Sequence, residues 1–415
     1  NQEALDRLGR IADLFLLHDR EIHTRSDDSV VRVHLGRERV LRRARGHVPE
    51  AIELGFEAPP VLAVGADLKN TLCLTAGSAA ILSQHVGDLE SLEAQAFFAE
   101  VRANLERLFQ ARPRLVAHDL HPGYHSTRLA QECGLPALAV QHHHAHVASC
   151  LADNGRRDTV IGVAWDGTGY GPDGTVWGGE FLVADLAGYR RVGRLRPVPM
   201  PGGDAAVREP WRMAVGHLVS AGLSTGRVTR PGRATVEAMV RQGVSAVPTS
   251  SAGRLFDALA SLLGVRDVVT YEGQAAIELE AASEVGDPAR ESARYALPVV
   301  PGEAGLELDP RPLLAAALAD LELGESPRAI GGRVHAALAD AIAETCSRVR
   351  ADAGLATVAL SGGCFQNRLL TRLTVERLRA LGFEVLLHAR VPPNDGGIAL
   401  GQAAVAAWRG RAGPR

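Results

Sequence analysis

Four histidines, His142, His143, His144 and His146, fall within five positions of a 415-residue chain that holds only 15. Neutral imidazole is the commonest transition-metal ligand in proteins, so the run is first a candidate metal site. On a helix, His142 and His146 stand at i and i+4, one above the other on one face. On a strand, His142, His144 and His146 would share a face instead. The stretch from Ala145 to Asp153 is rich in helix formers and stops at Asn154-Gly155, a helix C-terminal signal, so a helix is expected. The plainer alternative is a solvated helix N-terminus with packing histidines, yet that end of a helix disfavours imidazolium. His121 and His125 repeat the spacing, but Pro122-Gly123 between them breaks any common helical face.

Other residues suited to chemistry lie at the ends of apolar runs. Val61–Val64 leads to Asp67 and a tight turn, then Thr71–Thr75. Val160–Trp165 leads to Asp166, the turn from Gly167, Thr168 and Gly169 to Gly174, and a returning strand Val176–Val183. Such turns expose backbone N–H groups to phosphate, and the aspartate can hold a metal or water beside it. Lys69, in the first turn, is the one lysine among 45 basic residues, and a compact ammonium is not replaced by Arg where it must touch a phosphate oxygen. Strand Val358–Leu360 runs into Gly362-Gly363 and the helix Arg368–Ala380, a strand-glycine-helix unit suited either to a nucleotide or to tight packing. Asp395, before the helix Ile398–Trp408, is either an ordinary helix cap or a metal carboxylate.

These elements define an α/β chain. The two strand-Asp-turn-strand hairpins, each opening a half, suggest an internal duplication. Helices are expected at 208–218, 251–263 and 333–350. Residues 1 to about 50 differ: 13–18 and 29–33 read as short strands, and Arg32, Arg37, Arg39, Arg42, Arg43 and Arg45 cluster against Glu38 alone. That cluster is either a solvated face or a carboxylate or phosphate site. Ala58-Pro59-Pro60 reads as the linker into the next domain. A net charge of −3 speaks against broad nucleic-acid binding, and no apolar stretch reaches membrane-spanning length. Five scattered cysteines without paired spacing point to reduced thiols in a cytoplasmic protein. The chain opens Asn-Gln-Glu without methionine, so a piece of a longer protein is expected.

The chain resembles the HypF-type carbamoyltransferases of NiFe-hydrogenase maturation. The resemblance rests on Val140 to His146, the turn Asp166–Gly169, Ser361 to Asn367 and Pro393 to Gly397, in that order, with Gly65 to Asn70 and Tyr271 to Gln274 fitting too. It covers essentially the whole chain. The same domain is shared with TsaD-like tRNA threonylcarbamoyl transferases, which usually carry Glu where this chain has His144, and with antibiotic O-carbamoyltransferases. The fold so implied is actin-like, with two duplicated lobes at about 58–156 and 157–397, a C-terminal helix at 398–410, and residues 1–57 as the tail of a YrdC-like domain.

The resemblance also implies a divalent metal on His142, His146 and Asp395, with Asp166 as a fourth or water-mediated ligand; two imidazoles and one or two carboxylates suit iron or zinc better than magnesium or calcium. ATP, AMP or carbamoyl-adenylate would meet Asp67, Lys69, Gly167, Thr168, Gly169, Asp257, Gly362, Gly363, Asn367 and Asn394, with Asp257 near the ribose. Lys69, His143 and His144 are the expected catalytic side chains, although His143 and His144 also read as solvated first-turn residues. Cys364 reads as a buried filler. The implied reaction is carbamoyl transfer from carbamoyl-adenylate to the C-terminal cysteine thiol of a HypE-like partner, with no membrane or nucleic-acid partner. The alternatives are a TsaD-type tRNA transferase and a non-catalytic nucleotide- and metal-binding partner protein.

Overall fold

The computed structural model describes residues 1–283, 294–303 and 305–411. Helix α1 (Gln2–Leu8) precedes a hairpin of β1 (Val30–His34) and β2 (Arg37–Arg42). The first lobe contains β3 (Ile52–Ala58), β4 (Val61–Ala63), β5 (Cys73–Leu82), β6 (Leu115–Asp119) and β7 (Ala137–Val140), with α2 (Leu92–Leu108), α3 (His125–Glu132) and α4 (His142–Asp153). The second lobe contains β8 (Val160–Tyr170), β9 (Val176–Ala184), β10 (Tyr189–Leu195), β11 (Val198–Pro201), β12 (Ala246–Thr249), β13 (Val299–Gly302), β14 (Gly305–Leu308), β15 (Thr357–Ser361) and β16 (Glu384–Leu387). Its helices are α5 (Asp204–Arg208), α6 (Pro210–Ser220), α7 (Arg233–Gln242), α8 (Ala252–Leu262), α9 (Gln274–Ala282), α10 (Arg311–Glu322), α11 (Pro327–Ala353) and α12 (Arg368–Ala380). Helix α13 (Ile398–Gly410) closes the chain.

The duplication shows in the strand order. The first sheet runs β3-β5-β4-β6-β7, and the centre of the second runs β10-β9-β8-β15-β16. In both, an antiparallel hairpin sits beside two further strands parallel to its first member. The outer place that β10 fills in the second lobe is filled in the first by β3, which arrives from upstream. Ile52, Leu54, Phe56 and Ala58 are buried while Glu53, Gly55 and Glu57 face out, so this segment is an integral strand of the lobe. The lobe therefore begins before Ala58-Pro59-Pro60, and the expected linker is only the turn from β3 to β4. Residues 13–18 are not a strand: Leu14 and Leu16 stand exposed with no partner strand to pair them.

Strand β8 also runs further than its sequence suggests. A register shift between Trp165 and Gly169 carries it on to Tyr170, where Gly169 pairs with Trp177. Thr168 and Gly169 are thus strand residues, and the turn proper begins at Gly171.

Each sheet delivers a helix to the junction between lobes. Strand β7 leads into α4; β16 leads through a strap, residues 388–397, into α13. The two helices cross closely, and a Cβ on Gly401 would lie 1.8 Å from the Ala145 carbonyl oxygen. A continuous apolar cluster that includes Val140, Val147, Leu151, Ile398, Leu400 and Ala404 fills this junction. The strap is tied down from both sides. Asp153, at the end of α4, accepts from the N–H groups of Ala389 and Arg390 at 2.7 and 3.2 Å. On the other side Val40 N–H donates to Ala389 O and Arg43 Nε to Arg390 O, while Arg39 donates to His388 O. With Arg32 donating to Gln366 O at 3.0 Å, three of the clustered arginines bind backbone carbonyls, and Arg43 is buried.

Candidate metal and nucleotide site

The helical reading of the histidine run holds. Gln141 caps α4 by accepting from His144 N–H at 2.9 Å, and its phase puts His142 and His146 on one face. Asp166, near the end of the buried part of β8, and Asp395, in the 3-10 turn that opens α13, come to the same point from the second lobe. His142 Nε2 and His146 Nε2 lie 3.3 and 3.2 Å from Asp166 Oδ2, and both lie 3.7 Å from Asp395 Oδ1. One donor atom from each of the four residues falls within 4.8 Å of all the others. The capping role open to Asp395 goes to its neighbour: the Asn394 side chain accepts from Gly396 N–H, which leaves the Asp395 carboxylate to the cluster.

The groups are held from behind. His142 Nδ1–H donates to Asp119 Oδ2 at 2.7 Å, which leaves Nε2 as the nitrogen that faces the cluster, 3.3 Å from Asp166 Oδ2. Asp119 is itself buried and accepts from His121 N–H. Gly363 N–H donates to Asp166 Oδ1 at 2.9 Å, which turns the other oxygen to the imidazoles. Gly362 makes that turn at φ +98, and a Cβ there would meet Trp165 O at 2.2 Å, so no other residue fits. Burial pushes the Asp166 carboxyl up, but His142 and His146 outweigh it and hold it well below the usual range. Burial likewise disfavours charge on His142, yet Asp119 and Asp395 raise it well above 6.5. The two imidazole nitrogens and two carboxylate oxygens form an N2O2 donor set of the kind that suits a divalent cation such as zinc or iron(II).

A cleft of about 400 Å³ opens beside the cluster. Asp166, Asp395, Gly167, Lys69, Asp257, Gly363, Asn367 and Asn394 all line it. Lys69 pairs across it with Glu272 of the second lobe. Asn367 caps α12 and its amide also donates to His335 Nε2 at 2.9 Å. The cleft thus gathers most of the expected nucleotide residues, and the N-terminal hairpin contributes Val30, Arg32, Leu41 and Arg42 to its wall.

Other expected residues are employed elsewhere. The Asp67 carboxylate accepts from the N–H groups of His125 and Ser126 at 2.8 and 2.9 Å and from His125 Nδ1, so it caps α3. This is also what His125 does in place of pairing with His121, which stacks on Tyr124. The Thr168 hydroxyl bonds only its own neighbour's carbonyl, and Gly169 lies under the His142 and His143 rings. Gly362 shapes the turn without lining the cleft. His143 and His144 are buried rather than solvated because α4 is enclosed by both lobes. His144 Nε2–H donates to the Asp185 carbonyl at 2.7 Å, away from the cluster, and burial lowers it to about 4. His143 accepts from Gln141 and is held neutral by burial and by His142. Neither reaches the cleft, so neither is placed for acid–base work on a ligand there.

Asp119, Arg254 and Glu272 belong to the site and were not foreseen. Asp119 carried a signal, an aspartate ending the apolar run Leu115–Ala117 as Asp67 and Asp166 end theirs.

Known proteins match this chain across both lobes. The HypF Kae1-like domain matches residues 56–153, and the carbamoyltransferase Kae1-like domain, second subdomain, matches residues 162–402. The carbamoyltransferase HypF2 of Cupriavidus necator is 45% identical over 446 residues, covering 99% of this chain and 54% of the relative. The carbamoyltransferase HypF of Rhizobium leguminosarum bv. viciae is also 45% identical, covering 98% and 53%. A crystal structure of full-length HypF in a phosphate- and nucleotide-bound form superposes with a TM-score of 0.93 at 40% identity, over 98% of this chain and 65% of that one. The chain spans about half the length of the curated relatives it matches. With both of its lobes matched, the chain belongs to the HypF carbamoyltransferase family.

Proposed function

We propose that this chain carries the carbamoyl-transfer site of a hydrogenase-maturation enzyme, with carbamoyl-adenylate as donor and the C-terminal cysteine of a HypE-like protein as acceptor. The observation that carries the reading is the convergence of His142, His146, Asp166 and Asp395 at the cleft. These four residues would hold zinc or iron(II), which supplies Lewis-acid polarisation of a carbonyl or phosphate oxygen. The AMP part would lie between Gly363 and Asn367 on one side and Lys69 on the other. Lys69, released from Glu272, would neutralise charge on the leaving phosphate. The acceptor thiolate attacks the carbamoyl carbon, the bond from that carbon to the phosphate oxygen breaks, and AMP leaves with the electron pair. No side chain of this chain forms a covalent intermediate. Burial pushes the Cys364 thiol up, which suits it to packing rather than attack.

Residues ahead of β3 are read as the end of a preceding YrdC-like domain, with Ile52–Ala58 assigned to the first lobe. A cytoplasmic setting is in keeping with five free cysteines; among the described residues no helix is long and apolar enough to cross a membrane.

The test supplies carbamoyl-adenylate with either a HypE-type protein or tRNA to the metal-loaded chain and seeks the modified acceptor by mass spectrometry. A carbamoylated C-terminal cysteine is expected, whereas modification of tRNA alone, or of neither, overturns the reading. His142→Ala and Asp395→Ala should each abolish stoichiometric metal by elemental analysis, and retention in both means the ligands are others.

A further inference from the structure

Arg254 is a buried cation that the reading above does not use. It lies on the first turn of α8, is 5% exposed, and lines the cleft beside Asp166 and Gly167. Its place is fixed by the cap of its helix. Ser251 Oγ accepts from Arg254 N–H at 3.1 Å and lies 2.8 and 2.7 Å from the carbonyl oxygens of Asp166 and Gly167. One serine therefore joins the backbone carrying Arg254 to the strand carrying a metal-cluster carboxylate.

The guanidinium is poorly satisfied. Neither Nε nor Nη1 has a hydrogen-bond acceptor among the described residues. Its nearest counter-charge is Asp257 Oδ2, 3.0 Å from Nη1 but outside hydrogen-bond geometry, and that oxygen is equally without a donor. A guanidinium presents its donors in a rigid planar fork, and leaving them dry and unbonded is costly unless a ligand completes them. The fork matches a pair of oxygens on one phosphate or carboxylate. Beside the Gly167 turn, in a cleft that also holds Lys69, a phosphate is the better match. Asp257 is the nearest counter-charge, and burial pushes its carboxyl up to about 6 against the pull of Arg254.

We propose that Arg254 is the anion anchor of the cleft, its guanidinium turning from Asp257 to donate in fork geometry to a phosphate group of the bound nucleotide, with Asp257 holding it until the phosphate arrives. The proposal rests on the nucleotide reading of the cleft. Calorimetric titration of the zinc-loaded chain with AMP, adenosine and inorganic phosphate tests it in wild type, Arg254→Lys and Arg254→Gln. Both variants should bind AMP about tenfold or more weakly, since Lys lacks the fork, and adenosine affinity should stay at the wild-type value. Unchanged AMP affinity in Arg254→Gln overturns the anchor, as does an equal loss for AMP and adenosine, which marks a merely structural arginine. The failure of the nucleotide reading looks different: wild type would bind neither AMP nor adenosine, while phosphate binding that disappears in Arg254→Gln would still support the anchor.

Discussion

His142 is gripped on both sides of its ring, by Asp119 at Nδ1 and by the cluster at Nε2. The carboxylate behind it orients the ring and raises the basicity of the nitrogen that faces the cluster, as it would for a metal-binding imidazole. Asp119→Asn keeps the shape and removes the charge. It should lower zinc affinity about 10- to 100-fold while leaving the stoichiometry at one, as a competition titration with a chelator would show. Wild-type affinity in that variant would mean that the Asp119 contact only packs the ring. Lys69 shows the same economy of residue type. The one lysine in the chain is the cation that reaches across the cleft to Glu272, a place where a compact ammonium differs most from the arginine used everywhere else.

At the scale of elements, the site depends on two helices that follow corresponding strands in the two lobes. Helix α4 brings His142 and His146 on its first two turns, and α13 is preceded by the turn that brings Asp395. Their crossing sets the distance between the two halves of the cluster, and Gly401 allows the crossing. Gly401→Ala forces the helices apart or bends one of them. Overpacking of this kind costs about 1–3 kcal/mol, occasionally more. The melting temperature should fall, and zinc affinity should fall with it because His146 and Asp395 separate. A variant that melts early but binds zinc as wild type would show that the strap, held by Asp153 and Arg43, sets the Asp395 position independently of the helix crossing. Sequence periodicity identified α4, α8, α11 and α12, the strand that leads toward Asp67 and the strand that carries Asp166. It did not identify β3 as part of the first lobe, although the alternation of Ile52, Leu54, Phe56 and Ala58 was there to read. The proline pair that follows drew the boundary too late. The bulge that extends β8 through Thr168 and Gly169 has no local signal, because glycines serve a turn and a close approach to imidazole rings equally well.

Across the whole molecule, burial governs the response to pH. Burial lowers His144, His217 and His335 to about 4, and lowers His388, with help from the charge of His146, to about 3. All four fold as neutral imidazoles with values below the unfolded 6.5. Their contribution to stability is therefore complete above about pH 6.5 and is lost as pH falls toward 4, a tenfold difference in proton affinity between folded and unfolded chain being worth about 1.4 kcal/mol. The melting temperature should drop steeply from about pH 7 to about pH 5. Among the described residues His217 has no hydrogen-bond partner at either nitrogen, so His217→Leu should flatten that slope; an unchanged slope would place the proton uptake elsewhere. By itself the sequence determined the α/β class, the doubled hairpin and the helix phase that singles out His142 and His146, because these follow from local propensity and the spacing of residue types. Asp166 and Asp395 were named by the resemblance, but only the tertiary structure brings them to the two histidines, puts Asp119 behind His142, sets Asp67 and His144 to other work, and leaves two buried nitrogens of Arg254 unpaired among the described residues beside the cleft. Those outcomes depend on contacts between residues far apart in the chain, set by how two similar sheets lay their helices against each other, and no local pattern encodes that packing.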